Sequence, residues 1–205
     1  MLGGPEGPPV VEATRRRLSP RQAEVVAELV RATEEEIEAV GYDGLTVRSV
    51  ARRAGVAPAT AYNYFSSKDH LLAEVLWRRM QALAPADAGP DRPVHARVAD
   101  TVRDMVLFTT ESPALVDACT VALLSSTPDV KHLRDRIGAD IHHRLAAAVG
   151  TGVDPMVVRV LETSFSGALL AASMGHMASV DIPEFVAAAA DLLLTPGAAR
   201  SRSRR

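Results

Sequence analysis

The 205-residue sequence is poor in cysteine and in aromatic residues, and each shortage excludes a class of protein. Cys119 is the only cysteine, so neither an intramolecular disulfide nor a cysteine-based zinc site can form. Phe, Trp and Tyr together make up 4% of the chain, whereas hydrophobic residues as a whole make up 47%. Alanine and aliphatic side chains must therefore fill the core of what we expect to be a folded globular protein.

Long hydrophobic runs are also missing. The N-terminal segment places proline, glycine and acid ahead of its arginines, unlike a secretory signal. The most apolar stretch, 167–180, is interrupted by His176 and by serines, and it is shorter than the roughly 20 residues that cross a bilayer. We therefore expect a soluble, cytoplasmic protein with no membrane partner.

No residue pattern typical of a catalytic, cofactor or metal site is present. Gly150 and Gly152 do not open a strand-to-helix turn, so they do not form a phosphate-binding loop. His142 and His143 are adjacent, and a helix would direct them about 100° apart, unlike an i, i+4 metal-binding pair. The sequence therefore predicts no enzyme, no cofactor and no metal.

Helical periodicity runs through the sequence, and no alternating strand-like pattern competes with it. Polar residues before prolines mark additional helix starts in the second half, at Ser112, Thr127, Asp154 and Asp181. The first half is predicted to contain helices from Ser19 to Gly41, from Val47 to Ala54, from Pro58 to Phe65 and from Lys68 to about Leu83. The pattern predicts an all-α protein of about nine helices.

The strongest functional signal lies in residues 41–72. Two predicted short helices meet at Ala54-Gly55-Val56-Ala57, which is the spacing of a helix-turn-helix, and Gly55 permits the tight turn. Residues 44–68 contain four basic residues and no acidic one. Hydrogen-bonding side chains are concentrated on the second helix, whereas we expect three apolar residues, Val56, Ala59 and Phe65, to pack inward.

This stretch resembles the DNA-binding signature of the TetR family of transcriptional repressors. Thr46–Val56 matches Thr-Val-x-x-Val-Ala-x-x-Ala-Gly-Val, Tyr62–Phe65 matches Tyr-x-Tyr-Phe, and Ser67–Leu72 matches Ser-Lys-Asp-x-Leu-Leu. The resemblance implies a ligand-responsive repressor that binds a palindromic operator in double-stranded DNA as a homodimer and is released by a small apolar effector. The alternative is a helical binding or carrier protein without DNA-binding activity.

The chemistry of the side chains agrees with the DNA-contacting set that the resemblance implies. Thr46 and Lys68 stand at helix starts, where free N–H groups can hold a phosphate, and Asn63 can form two hydrogen bonds to adenine. We expect Arg52 and Arg53 to be merely solvated. The predicted set is Thr46, Arg48, Ala57, Pro58, Thr60, Tyr62, Asn63, Tyr64 and Lys68.

Two residues depart from the family pattern and bear on the placement of the second short helix. Ala57 stands where similar proteins commonly have a capping serine, so Pro58 must begin the helix without a side-chain cap. Ala61 is smaller than the usual branched aliphatic residue. Upstream, Arg15 to Arg17 can either contact the minor groove or remain solvated, and the sequence does not decide between them.

The second half shows only a weak resemblance, of Glu111–Gly150 to regulators of lipid and sterol breakdown, which favours an acyl-thioester or sterol-like effector. Polarizable side chains on several helices are predicted to line a ligand pocket, with ordinary core packing as the alternative. These are Met105, Phe108, Cys119, Met156, Phe165, Met174 and Met177.

The predicted organisation has five parts: a flexible basic arm (1–18), a helix-turn-helix domain (19–66), a connecting helix (67–84), a ligand-binding and dimerisation domain (85–195) and a disordered basic tail (196–205). We expect the connecting helix to be the only covalent and packed link between the two domains. The last two helices are predicted to form a four-helix dimer interface. Their stripes are Val158, Leu161, Phe165 and Leu169, then Phe185, Ala189, Leu192 and Leu193.

Overall fold

The computed structural model describes residues 19–84, 89 and 91–195, except for the side chains of 107–111. Within these ranges the chain forms nine α-helices, one short 3-10 helix (Ser179–Asp181) and no strand, so the all-α prediction is confirmed. The helices are α1 (Pro20–Gly44), α2 (Val47–Arg53), α3 (Pro58–Tyr64), α4 (Lys68–Ala82), α5 (Val94–Glu111), α6 (Pro113–Leu123), α7 (Pro128–Val149), α8 (Pro155–Ser173) and α9 (Ile182–Leu194). The predicted arm and tail lie outside the described residues.

Side-chain caps set the starts of α1, α2 and α4. Ser19 and Gln22 form a reciprocal capping box, in which the Ser19 N–H donates to Oε1 of Gln22 at 2.8 Å. Thr46 caps α2 through its Oγ1, which accepts from the backbone N–H of Ser49 at 2.9 Å. The Ser67 hydroxyl accepts from the backbone N–H of His70 at 3.1 Å. Since each cap satisfies an otherwise unpaired N–H group, these three predicted helix starts are confirmed.

The end of α1 differs from the prediction. Gly41 adopts φ of +64°, a left-handed conformation that kinks the helix, but the helix continues to Gly44. The Leu45 N–H then donates to the Gly41 carbonyl at 3.1 Å. Gly41 therefore marks a break within α1, and the helix ends three residues later than expected.

One hydrophobic core extends from α1 through α9 and joins the N-terminal helices to the rest of the molecule. α6 packs against α1 as well as against α4, and α7 packs against α4. The hydroxyl of Ser112, which caps α6, also donates a hydrogen bond to Glu38 on α1. The expectation that α4 is the only packed link between the two halves is therefore wrong.

α8 is 19 residues long and, by length and composition alone, apolar enough to cross a membrane. The apolar stretch considered in the sequence begins at residue 167 and so misses most of this helix. One face of α8 is buried in the core, through Val158, Leu161 and Phe165. Burial within one chain leaves these three side chains unavailable to a second copy, so three of the four residues of the predicted dimer stripe on α8 are misassigned, whereas Leu169 is partly buried.

Candidate DNA-binding surface and cavity

The turn between α2 and α3 is built around Gly55. Its φ is +66°, a conformation that residues with a Cβ rarely adopt. The Val56 N–H donates to the Ala51 carbonyl at 2.9 Å and the Gly55 N–H to the Arg52 carbonyl at 3.2 Å, which together form a Schellman motif. This motif ends α2 and directs the chain into α3 within four residues.

α3 is held against the core by its short apolar face. Pro58 occupies the first helical position, and Ala57 makes no side-chain cap, as the sequence predicts. Ala61 and Phe65 are fully buried. Ala59 is exposed, so its expected inward orientation is wrong: on a seven-residue helix anchored by Ala61, residue 59 points away from the core.

The predicted DNA-contacting side chains of α2 and α3 differ in their accessibility. Tyr62 is 51% exposed, and Asn63 and Arg48 are also exposed. Thr60 and Tyr64 are half-buried, and the Tyr64 side chain packs against the core. The remaining capping positions, Thr46, Ala57 and Pro58, are exposed. Tyr62 and Asn63 of α3 and Arg48 of α2 are therefore accessible to solvent.

Lys68, at the first position of α4, is fixed by the end of α1. Its Nζ donates to the Tyr42 carbonyl at 2.7 Å and lies 3.8 Å from the centroid of the Tyr42 ring. The Tyr42 hydroxyl donates to Asp69 at 2.7 Å. Burial and this hydrogen bond to Asp69 raise the pKa of Tyr42 to about 12, so the hydroxyl remains protonated. An ammonium has three N–H donors, so Lys68 retains donors for a phosphate.

Arg53 is engaged in the fold rather than merely solvated, contrary to expectation. Its Nε donates to the carboxylate of Glu36 on α1 at 2.5 Å, and Glu36 is only 5% exposed. The hydrogen bond from Arg53 holds the pKa of Glu36 below its usual value. Arg52, next to it, is exposed. The pair Arg53–Glu36 therefore ties α2 to α1.

A cavity of about 490 Å³ lies between α4, α5, α6, α7 and α8, within the size range of small-molecule sites. Three of the predicted pocket residues, Met105, Cys119 and Phe165, line it. The other lining residues are Leu76, Met80, Val116, Thr120, Leu123, Leu124, Arg134, Ile137, Gly138, Ile141, Thr163, Ser166, Gly167, Leu169 and Leu170. The wall is thus mostly apolar.

The remaining predicted pocket residues lie elsewhere. Met156 and Met174 are 57% and 60% exposed, and neither lines the cavity. Met177 is half-buried and packs against the core away from the cavity. The side chain of Phe108 lies outside the described residues. The sequence could not tell which methionines line the cavity, because the packing of the helices decides whether a given face meets the cavity or solvent.

Cys119 behaves as a small buried hydrophobe in the cavity wall. Its thiol donates to the Leu72 carbonyl of α4 at 3.5 Å. Burial raises the pKa of this thiol to about 12, so it stays protonated at neutral pH and is a poor nucleophile. Within the described residues, no group of three or more His, Cys, Asp or Glu side chains is placed to hold a metal ion.

α7 is attached to both ends of α4. At the start of α4, Oδ2 of Asp129 accepts from the Ser66 hydroxyl at 2.7 Å and lies 3.8 Å from Nδ1 of His70. At the other end, the Arg144 guanidinium donates to the carbonyls of Ala84 at 2.7 Å and Met80 at 3.1 Å. Because these contacts follow the same order along both helices, α7 runs alongside α4 from the end of α3 to the end of α4.

Comparison with known proteins connects this helix-turn-helix and cavity to a family. The chain is 39% identical over 188 residues to an uncharacterized HTH-type transcriptional regulator, Rv0767c of Mycobacterium tuberculosis, covering 91% of this chain and 87% of the relative. Residues 29–75 match the family described as bacterial regulatory proteins, tetR family. The chain belongs to the TetR family of transcriptional regulators. TetR-family membership confirms the resemblance and the prediction of a non-enzymatic DNA-binding regulator.

Further TetR-family proteins share parts of the sequence and the fold. The HTH-type transcriptional repressor KstR of Rhodococcus jostii is 28% identical over 166 residues, which cover 78% of each chain. A TetR transcriptional regulator from Rhodococcus sp. RHA1 superposes with a TM-score of 0.74 at 22% identity, over 86% of this chain and 97% of that one. FadR from Bacillus subtilis, in complex with stearoyl-CoA, gives 0.60 at 17% identity, over 82% and 97%. The structural likenesses show the fold.

Fifteen of the cavity residues escaped the sequence prediction, among them Arg134, Gly138 and Gly167. Glycine inside a helix is unfavourable by about 1 kcal/mol relative to alanine, so each glycine was a signal that space is needed at that position. Arg134 and Gly138 are four residues apart and therefore share one face of α7. An arginine followed by a glycine four residues later on the same helix could therefore have been recognised from the sequence.

Proposed function

We propose that the protein is a ligand-responsive transcriptional repressor that binds a palindromic operator as a homodimer and is released when a small apolar effector occupies the cavity. The observation that carries this proposal is the position of α4. Leu76 and Met80 of α4 line the cavity, and only three residues separate the end of α3 from the start of α4. One helix therefore contacts both the ligand site and the DNA-binding surface.

DNA contact is assigned to two kinds of side chain on the helix-turn-helix. Asn63 and the exposed Tyr62 are suited to base edges, since an amide pairs with adenine through two hydrogen bonds. Arg48, Thr46 and Lys68 are suited to phosphate, because they lie at or near helix starts or point to solvent. Ala57, Pro58, Thr60 and Tyr64 complete the surface, which we place in the domain 19–66.

The proposed switch runs through α7. Ile137, Gly138 and Ile141 of this helix line the cavity, while Asp129 and Arg144 hold the two ends of α4. A ligand that shifts α7 would thus shift α4 as a unit, together with the α3–α4 junction at Ser66. A coupling of about 1 to 3 kcal/mol would lower DNA affinity roughly 5 to 150-fold.

The effector is proposed to be an acyl thioester or sterol-like molecule. The mostly apolar wall of the cavity supports an apolar ligand of drug size. The structural likeness to FadR, which was solved with stearoyl-CoA, supports the acyl alternative at the level of the fold.

The proposed dimer interface uses exposed apolar residues of α8 and α9. α8 and α9 pack against each other, and both carry exposed apolar side chains of the kind that protein interfaces cover. They are Met156 and Leu170 on α8, Met174 directly after it, and Phe185, Leu192 and Leu193 on α9; Leu170 also borders the cavity. Together with the connecting helix 67–84 and the domain 85–195, this surface would hold two heads about 34 to 36 Å apart, or a multiple of that, on a palindrome in the cytoplasm.

The test is an operator shift with the full-length protein at physiological salt. An operator would first be selected from random duplex DNA and then titrated with stearoyl-CoA and, separately, cholesterol. We expect a two-fold symmetric site, a dimer by sedimentation at micromolar concentration, and release by one of the two ligands. A monomer on DNA, or binding without sequence preference, would contradict the proposal.

A further inference from the structure

The cavity wall contains a single charged residue, Arg134 of α7, among its eighteen lining residues. The polar hydroxyls nearby are largely satisfied within their own helices. Thr120 donates to the Val116 carbonyl and Thr163 to the Arg159 carbonyl, each at 2.9 Å. A ligand in this cavity therefore contacts a mostly apolar surface and one positively charged side chain.

Arg134 is held in place by backbone and not by an acid. One of its terminal nitrogens, Nη1, donates to the Leu123 carbonyl at 2.7 Å and to the Ser125 carbonyl at 3.1 Å, where α6 ends. Among the described residues no carboxylate lies within ion-pair distance of it. The neighbouring Asp135 pairs with Lys131 at 2.6 Å, and the Arg134 charge only contributes to lowering the pKa of that carboxyl. A guanidinium has five N–H donors in a planar fork, so Nε and Nη2 remain for a further acceptor.

Two glycines, both exposed, border the open volume beside Arg134. Gly138 of α7 and Gly167 of α8 both line the cavity, and a Cβ built at either position would meet no atom within 4 Å. Neither glycine has a positive φ, so backbone conformation does not require glycine there. Because Gly138 lies one helical turn after Arg134, the charge stands directly beside the open volume on the same face of α7.

We propose that the effector is an amphipathic acid whose anionic group pairs with Arg134 and whose apolar body fills the space at Gly138 and Gly167. This inference rests on the proposed effector cavity and adds the charge of its ligand. Charge-assisted, bidentate pairing suits a guanidinium facing a carboxylate or a phosphate. A bound anion would supply the acid that Arg134 lacks among the described residues.

The test compares dodecanoate with dodecan-1-ol, which share a chain length and differ in the charged group. Dissociation constants are measured by calorimetry on full-length wild type, Arg134→Gln and Arg134→Lys. We expect wild type to prefer the acid about 10-fold or more, because a hydrogen bond to a charged group is worth about 1.5 to 3 kcal/mol. Arg134→Gln should abolish that preference, so that acid and alcohol bind with similar affinity, and Arg134→Lys should retain part of it.

The preference is a ratio of two affinities in one variant, so a general loss of stability on removing Arg134 affects both probes alike. Dodecanoyl-CoA distinguishes the source of the anion: Arg134-dependent binding tighter than that of the free acid assigns the site to a phosphate, and weaker binding assigns it to a carboxylate. Either result supports an anionic ligand.

Two outcomes would overturn the inference in distinguishable ways. Equal affinity for acid and alcohol in wild type, or an acid preference that survives in Arg134→Gln, contradicts the assignment of Arg134 and leaves the cavity as an effector site. Binding of none of the probes to wild type contradicts the proposed effector cavity as well. Gly138→Leu, which fills the cavity, should weaken acid and alcohol equally.

Discussion

The N-terminal helices and the cavity region use glycine for opposite reasons. Gly55, between α2 and α3, is required by the backbone, since its φ of +66° is unfavourable for any residue with a Cβ. Gly138 has ordinary helical geometry and instead leaves an empty volume beside α7. Glycine in the first region thus meets a requirement of the backbone conformation, whereas glycine in the second region leaves space for which a side chain would compete. Substitutions in the two regions should therefore differ in sign as well as in size.

The largest expected effect on stability concerns the pair that ties α2 to α1. Arg53→Ala leaves the nearly buried Glu36 carboxylate without its main donor, which should lower the free energy of unfolding by about 2 kcal/mol at pH 7. Arg52→Ala, its exposed neighbour, is the matched control and should change stability by less than about 0.5 kcal/mol. Urea unfolding measures both, and equal effects would contradict the role of the pair.

The same pair predicts a pH dependence. Because Arg53 lowers the pKa of Glu36 in the folded protein, its stabilisation is present above the ordinary glutamate pKa and is lost as pH falls through the lowered value. The difference between wild type and Arg53→Ala should therefore shrink on acidification. A difference that grows as pH falls below about 4.5 would show that another group is responsible.

The next effect concerns DNA affinity. Lys68→Ala should weaken binding to every DNA sequence about tenfold and reduce the salt slope by about 1, since a phosphate contact carries no sequence information. Lys131→Ala on α7 is the matched control. It removes a lysine that lies outside the helix-turn-helix and is paired with Asp135, and it should leave DNA binding unchanged. Fluorescence anisotropy against salt concentration measures both slopes. Unchanged affinity and slope in Lys68→Ala would remove Lys68 from the DNA surface.

Gly55→Ala should destabilise the protein by about 1 kcal/mol, because alanine at this φ is strained even where space is available. Thermal unfolding would show a decrease in Tm of about 2 to 4 °C for a chain of this size. Loss of DNA affinity should accompany it, since the turn sets the direction of α3. A neutral result would show that the turn tolerates a different backbone conformation.

The smallest effect has the opposite sign. Gly138→Ala should raise stability by about 0.5 to 1 kcal/mol, because alanine favours the helix and its methyl group enters open space. The two alanine variants, at 55 and at 138, thus test the comparison directly under the same melting conditions. Destabilisation by Gly138→Ala would mean that the volume beside α7 is already filled.

The parts of the fold that local chemistry determines were predictable. Ser19, Thr46 and Ser67 each cap the helix that begins at the next residue, so the starts of α1, α2 and α4 could be predicted from the sequence. Ala59 and Ala61 could not be distinguished in the same way. Both are alanines on one short helix, and only packing against α2 and the core decides which of them is buried.

The second half of the molecule was harder to predict for a physical reason. An apolar residue on α8 can face the core, the cavity or solvent, and hydrophobicity is the same in all three places. Phe165 lies at the cavity, Met174 is exposed, and Val158 is in the core. Arg53 was missed because its partner, Glu36, is 17 residues away on another helix.

Reciprocal coupling between cavity and DNA tests the central claim most directly. The affinity of dodecanoate for the full-length protein is measured with and without saturating operator, with unrelated duplex DNA as the control. If the cavity controls DNA binding through α7 and α4, operator must weaken dodecanoate binding by the factor by which dodecanoate weakens operator binding, roughly 5 to 150-fold. Identical dodecanoate affinity in the presence and absence of operator would contradict the account.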